Sequence, residues 1–155
     1  MKKPGNLQIA IILIVVGMIG LFLLSYSPYS RSYYTRQATS FQSNGERIYF
    51  TATSDSGEAI ISSIGTMTMR GGMSCAACHG PDGTGGRGRM MMWTFDAPDI
   101  RYSSLAGENY TDDLIKRAIT KGIDEDGEPL DTPMPVWHMS DSDLNDLIGY
   151  LKSLK

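Results

Sequence analysis

Thiols and imidazoles are scarce in this chain: its 155 residues include two cysteines and two histidines. That scarcity argues against a structural zinc site, which needs four ligands at characteristic spacings, because Cys78 and His79 are neighbours and the other histidine, His138, lies far along the chain. A basic surplus is also missing. Fourteen lysines and arginines stand against 17 acidic residues, for a net charge of -3, so a nucleic-acid partner has no electrostatic support. The glycine-rich stretch 80–86 lacks the Gly-Lys-Ser/Thr ending of a phosphate loop. No alternation of strand and helix patterns surrounds the cysteines, which removes the context of a thioredoxin-like redox pair. Aromatic residues are unremarkable in number, whereas ten methionines and 17 glycines are many.

The two cysteines stand in Cys75-Ala76-Ala77-Cys78-His79. A disulfide across so short a loop would remove little unfolded-state entropy. The C-x-x-C-H spacing instead reads as covalent attachment of a c-type haem. On one helical turn the two sulfurs reach the two vinyl-derived carbons of one porphyrin, and the next side chain points at the iron. His79 is the expected proximal ligand, and no other thiol competes with Cys75 and Cys78.

Residues 7–24 carry no charge and one amide side chain, Gln8. As a helix they would span about 27 Å, close to the hydrocarbon thickness of a bilayer. A signal peptide is the competing reading, since Lys2 and Lys3 precede the run. The run is longer than a usual signal core, and Ser25-Tyr26-Ser27-Pro28 is no small-x-small cleavage site, so residues 1–24 are expected to be an uncleaved membrane anchor. Residues 25–37 read as a linker rich in serine and tyrosine, with Tyr26 and Tyr29 placed for an interfacial belt and Tyr33 and Tyr34 for docking. Lys2 and Lys3 are balanced by Arg31 and Arg36, so charge leaves the orientation open.

The body is then expected over 38–155. Phe41, Gly45, Ile48 and Tyr49 suggest a helix over 38–51, although 47–53 also fits a strand. Residues 51–74 read as an extended loop with a short hairpin through Ala59–Ser63. Thr111 to Lys121 forms a middle helix, with Thr111 as its cap and Gly122 as its stop. Leu144, Leu147, Ile148, Leu151 and Leu154 give a last helix, capped by Ser140, one apolar face.

In this order the residues resemble the class I monohaem cytochromes c. The resemblance rests on a first helix with the small residue Gly45, the motif Cys75–Gly80, a proline loop, a middle helix, a methionine and a C-terminal helix ending Tyr150-Leu151-Lys152-Ser153-Leu154. It implies an all-α domain in the class I fold, here with one N-terminal transmembrane helix and an inserted loop before the haem motif. The insertion follows from the 30 positions between Gly45 and Cys75, more than the family's usual short step. The resemblance also implies that Gly45 lets Tyr150 and Leu151 approach the first helix, and that the Pro98 carbonyl accepts a hydrogen bond from His79. A distal ligand is implied shortly before the last helix: Met134 between Pro133 and Pro135 is the choice, with Met139 and then His138 behind it. Trp137 and Arg101 are candidate contacts for haem propionates.

With His79 and Met134 both on iron no position remains for substrate, so the expected function is single-electron transfer through one covalent haem c, not catalysis. The expected partners are redox proteins, including membrane respiratory complex subunits, with the chain a tethered shuttle or a small subunit. In such families haem attachment takes place on the outer side of the membrane, which places the protein as a single-pass inner-membrane protein with its domain on the periplasmic side. The rival reading is a haem enzyme or gas sensor whose distal position stays open. Met67, Met69, Met73 and Met90–Met92 bracket the motif, either shielding the haem edge or, as thioethers, offering copper(I) ligands. Arg70, Arg87 and Arg89 would make that side basic, while eleven acidic residues fall between Glu108 and Asp146, a polarity able to orient docking.

Overall fold

Three hydroxyl side chains start the three longest helices of the body. Ser43 accepts from the Glu46 N–H at the head of α1 (Asn44–Thr51), Thr111 from Leu114 at the head of α4 (Asp112–Lys121), and Ser140 from Asp143 at the head of α5 (Asp141–Ser153). Glu46 reaches back to accept from the Gln42 N–H at 2.7 Å, so the start of α1 is tied from both sides. α1 stops at Ala52 and α4 at Gly122, both in the left-handed conformation. The structure is a computed structural model that describes residues 13–19, 40–71, 73–90 and 93–155, the side chain of Trp93 excepted.

Between these helices lie two short ones, α2 (Cys75–His79) and α3 (Tyr102–Gly107), and five strands: β1 (Ile61–Ile64), β2 (Met67–Arg70), β3 (Gly86–Met90), β4 (Trp93–Ala97) and β5 (Val136–His138). The strands correct the all-α expectation. β1 is the middle strand of an antiparallel sheet ordered β2-β1-β5, and β3 pairs with β4 as a separate hairpin. Part of 51–74, expected as an extended loop, therefore pairs across the fold with residues just before α5. Its hairpin runs over Ile61–Arg70 and turns at Gly65, whose φ of +56° favours glycine.

Core packing centres on the crossing of α1 and α5. Ile48, Tyr49 and Phe50 from α1 and Leu144, Leu147, Ile148 and Leu151 from α5 are buried together, joined by Ile115 and Ile119 of α4, Leu105 of α3 and Trp137 of β5. At Gly45 the helices touch backbone to side: a Cβ there would lie 2.0 Å from the Asp146 carbonyl oxygen and 2.9 Å from the Tyr150 Cβ. Asn44 bridges the same crossing, donating to Asp143 at 2.9 Å and to Asp146 at 2.8 Å.

The chain divides into two units, residues 1–34 and 35–155. Of the expected 7–24 span, residues 13–19 are described; they are helical, with Leu13, Ile14, Val15, Val16, Met18 and Ile19 exposed. No helix among the described residues is long and apolar enough to cross a membrane, which overturns the transmembrane helix and with it the single-pass inner-membrane placement. The linker over 25–37, with Tyr26, Tyr29, Tyr33 and Tyr34, lies outside the described residues, as do Met91 and Met92.

Candidate functional site

The site forms where the turn of α2 faces a cavity of about 550 Å³. Cys75, Cys78 and His79 all line it, and the remaining wall is largely apolar: Met73, Phe95, Ile100, Leu105 and Ile115 among others. His79 is 4% exposed, and its Nδ1 lies 2.9 Å from the Pro98 carbonyl oxygen. A carbonyl only accepts, so Nδ1 carries the proton and Nε2 keeps its lone pair for a metal. Burial lowers the basicity of the ring and the Pro98 bond partly restores it, which favours the neutral imidazole that ligation requires.

Glycines bring Pro98 to that position. The loop after His79 passes through Gly80, Gly83 and Gly85 with φ of +78°, +78° and +74°. A Cβ on Gly85 would lie 2.1 Å from the Ala97 oxygen and 2.5 Å from the Pro98 oxygen, so only glycine lets the loop pass the end of β4 this closely. The Gly85 N–H donates to the His79 carbonyl at 2.9 Å, and the Ile100 N–H donates to the Gly83 carbonyl at 2.8 Å. On the other side the buried Tyr49 hydroxyl donates to the Gly80 carbonyl at 2.6 Å, tying α1 to the end of the motif. Burial drives the Tyr49 pKa far up, so it stays a neutral donor.

Cys75 and Cys78 are free of disulfide bonding. Burial pushes the Cys75 thiol up to about 12 and raises that of Cys78 as well. Thiol–disulfide oxidoreductases depend on the opposite shift, toward a stabilised thiolate. The pair thus lacks the stabilised thiolate of such an enzyme and stands at the wall of the cavity.

The candidate distal ligands separate in space. Met134 lines the same cavity as His79, where it packs against the core between the buried Pro133 and Pro135. Met139 and His138 line a second cavity, of about 480 Å³, on the sheet side. Trp137 is 5% exposed and touches both. Arg101 is absent from the wall of the His79 cavity; its Nε donates to both Asp99 oxygens at 3.0 Å. Of the described methionines flanking the motif only Met73 faces the cavity, while Met67 and Met69 stand on β2 and Met90 on β3. The expected basic side is also revised: Asp96, Glu108 and Asp131 line the cavity and, among the described residues, no lysine or arginine does. Arg87 is exposed and paired with Asp96 at 3.1 Å.

A buried imidazole with its Nδ1 engaged, two thiols one helical turn apart and an apolar chamber fit a haem attached through both sulfurs. A family model for cytochrome c matches residues 43–155. The chain belongs to the cytochrome c family. It is a haem-based electron carrier that works with redox partners, and its haem c is covalently bound, with Cys75, Cys78 and His79 fitting the attachment motif. Bound there, the haem iron supplies exchange of one electron between its ferrous and ferric states. Neither a curated protein nor a solved structure matches the chain.

Phe95 and Tyr110, which no motif marks, complete this wall. Phe95 comes from β4, opposite Gly88 on β3, where an added Cβ would meet its ring at 2.3 Å. Alternation in Trp93-Thr94-Phe95 was the available signal for that strand. Tyr110, which lines the same wall, has no such signal.

Proposed function

We propose that His79 and Met134 hold the iron from its two faces and that the protein passes single electrons between protein redox partners, as a shuttle or as a small subunit of a respiratory complex. The observation that carries this reading is the sorting of the three distal candidates: Met134 shares the cavity of His79, and Met139 and His138 open onto the other cavity. Thioether ligation suits a carrier because it raises the potential and closes the iron to exogenous ligands. The residues then have separate duties. Pro98 orients the imidazole, Pro133 and Pro135 restrict the backbone around the methionine, and the apolar wall keeps water from the iron.

The test is an absorption spectrum of the haem-loaded protein, oxidised and reduced, beside Met134→Ala. Haem that resists acid-acetone extraction, a methionine-ligation band lost in the variant, and carbon monoxide binding that is slow in the parent and fast in the variant are expected. Rapid carbon monoxide binding by the parent at neutral pH would replace this reading with an enzyme or gas sensor. An unchanged spectrum in the variant would move the ligand to Met139 or His138.

A further inference from the structure

The segment bearing Met134 has little regular structure of its own. Its described backbone bonds are the Leu130 N–H to the Gly122 carbonyl at 2.8 Å and the Met134 N–H to the Asp131 carbonyl at 3.0 Å. Directly beyond Pro135 the chain becomes β5, and β5 is paired with β1, which belongs to the stretch inserted between α1 and the attachment motif. The register sets Val136 opposite Ser63, Trp137 opposite Ser62 and His138 opposite Ile61. Directly opposed residues share a face of a sheet. Ser62 and Trp137 therefore meet on the inner face, and both are buried, at 1% and 5% exposure. Trp137 also forms part of the wall that Met134 and His79 share. β1 is itself tied back to the end of α1, where the Ile60 N–H donates to the Ala52 carbonyl at 2.8 Å.

We propose that β1 is a positioning strand for the distal methionine. The Ser62–Trp137 pair fixes β5, and β5 holds Met134 at the cavity through the intervening Pro135. Ser62 is buried with a buried tryptophan opposite, so a longer side chain there has to displace a packed neighbour. The family framework supplies His79; the inserted strand supplies the brace for the opposite ligand. This inference rests on the assignment of Met134 as ligand.

The experiment uses the full haem-loaded chain with Ser62→Ala, Ser62→Thr, Ser62→Leu, Thr68→Gly and Met134→Ala. Thr68 is exposed on β2, in the same sheet but with no pairing to β5. Three quantities are read: the methionine-ligation band of the oxidised protein, the rate of carbon monoxide binding to the reduced protein at saturating gas, and the denaturant midpoint. That rate measures release of the distal ligand. Ser62→Leu is expected to raise it about tenfold, the factor equivalent to about 1.4 kcal/mol, and to weaken the band. Ser62→Ala is expected to stay within about twofold of the parent, Ser62→Thr to fall between, and Thr68→Gly to lower the midpoint without moving the rate. A merely structural serine would shift the midpoint alone.

A flat rate across the Ser62 series, with Met134→Ala opening the iron, overturns the positioning role and leaves the ligand assignment standing. Should Ser62→Leu fail to fold, the step from Ala to Thr decides between the same outcomes. A Met134→Ala variant indistinguishable from the parent overturns the ligand assignment, and the positioning role falls with it.

Discussion

Replacing Gly45 with alanine separates two effects of opposite sign. Helix propensity alone favours the change, since alanine is better than glycine inside a helix by about 0.8–1.0 kcal/mol. The structure opposes it, because the new Cβ would sit 2.0 Å from the carbonyl oxygen of Asp146 and 2.9 Å from the Tyr150 Cβ, and a backbone carbonyl in mid-helix cannot swing aside. α1 must instead withdraw from α5. That loosens the Asn44 bonds to Asp143 and Asp146 and the Tyr49–Tyr150 ring contact, whose centroids are 5.2 Å apart. Overpacking a core costs about 1–3 kcal/mol and each of the two weakened hydrogen bonds about 1 more, so after the propensity gain Gly45→Ala should lose about 2–4 kcal/mol. For a domain of about 100 residues each kcal/mol moves Tm by roughly 4–8 °C. Thermal unfolding of the haem-loaded protein followed by far-UV circular dichroism measures the shift. Gly149→Ala is the control: Gly149 lies in α5 with nothing within 4 Å of its added Cβ, and it should gain about 0.5–1 kcal/mol. A Gly45→Ala protein melting at or above the parent would refute the close crossing.

Tyr49→Phe removes the 2.6 Å bond to the Gly80 carbonyl and leaves a buried acceptor without that donor, so chemical denaturation should show a loss of about 1–3 kcal/mol; a loss below about 0.5 kcal/mol would mean that water replaces the hydroxyl. Gly85→Ala combines a φ of +74° with a contact at 2.1 Å from the Ala97 oxygen, and should shift the reduction potential as well as stability by displacing Pro98 from His79. An unshifted potential would show that the loop yields without moving Pro98. Acid stability follows from Asp112, whose carboxyl the Lys152 ammonium at 2.7 Å holds below its ordinary range. A depressed folded-state pKa stabilises the fold above the unfolded value of about 3.9 and ceases to do so as pH falls through the folded value. The denaturant midpoint should therefore hold near neutral pH and decline below about pH 5, and Asp112→Asn should flatten part of that decline. Both side chains are over 40% exposed, so the change is small; an acid limb identical in the variant would assign the decline to other carboxylates such as Asp99, which Arg101 also holds low.

What was legible in the sequence was whatever depends on neighbours in the chain. Thr111, Ser140 and Gly122 announce helix ends because capping is a matter of three or four residues, and the spacing of Leu144, Leu147, Ile148 and Leu151 announces a buried face for the same reason. The attachment motif is equally local. β1 is legible only by half: Ile61-Ser62-Ser63-Ile64 has no clean alternation, its hairpin with β2 is local, but its other edge pairs with Val136–His138, a partner more than seventy residues away. β3 reads Gly-Arg-Gly-Arg-Met, with too little apolar surface to signal a sheet, and takes its shape from pairing with β4. The apolar run over 7–24 shows the converse failure. Hydropathy alone suggested a membrane span, yet no helix among the described residues meets the requirement.

The long step between Gly45 and Cys75 and the strand after Met134 meet one physical need. As the proposed distal ligand, Met134 has to be held against the cavity by something other than helix hydrogen bonds, because Pro133 and Pro135 on either side of it have no N–H to give. The first regular backbone pairing after that loop is β5 with β1, and β1 exists only because the chain between Gly45 and Cys75 is long enough to double back. The long step before the motif and the strand after the methionine are therefore parts of one sheet. Trp137 sits where that sheet meets the cavity, with Ser62 against it on the inserted side.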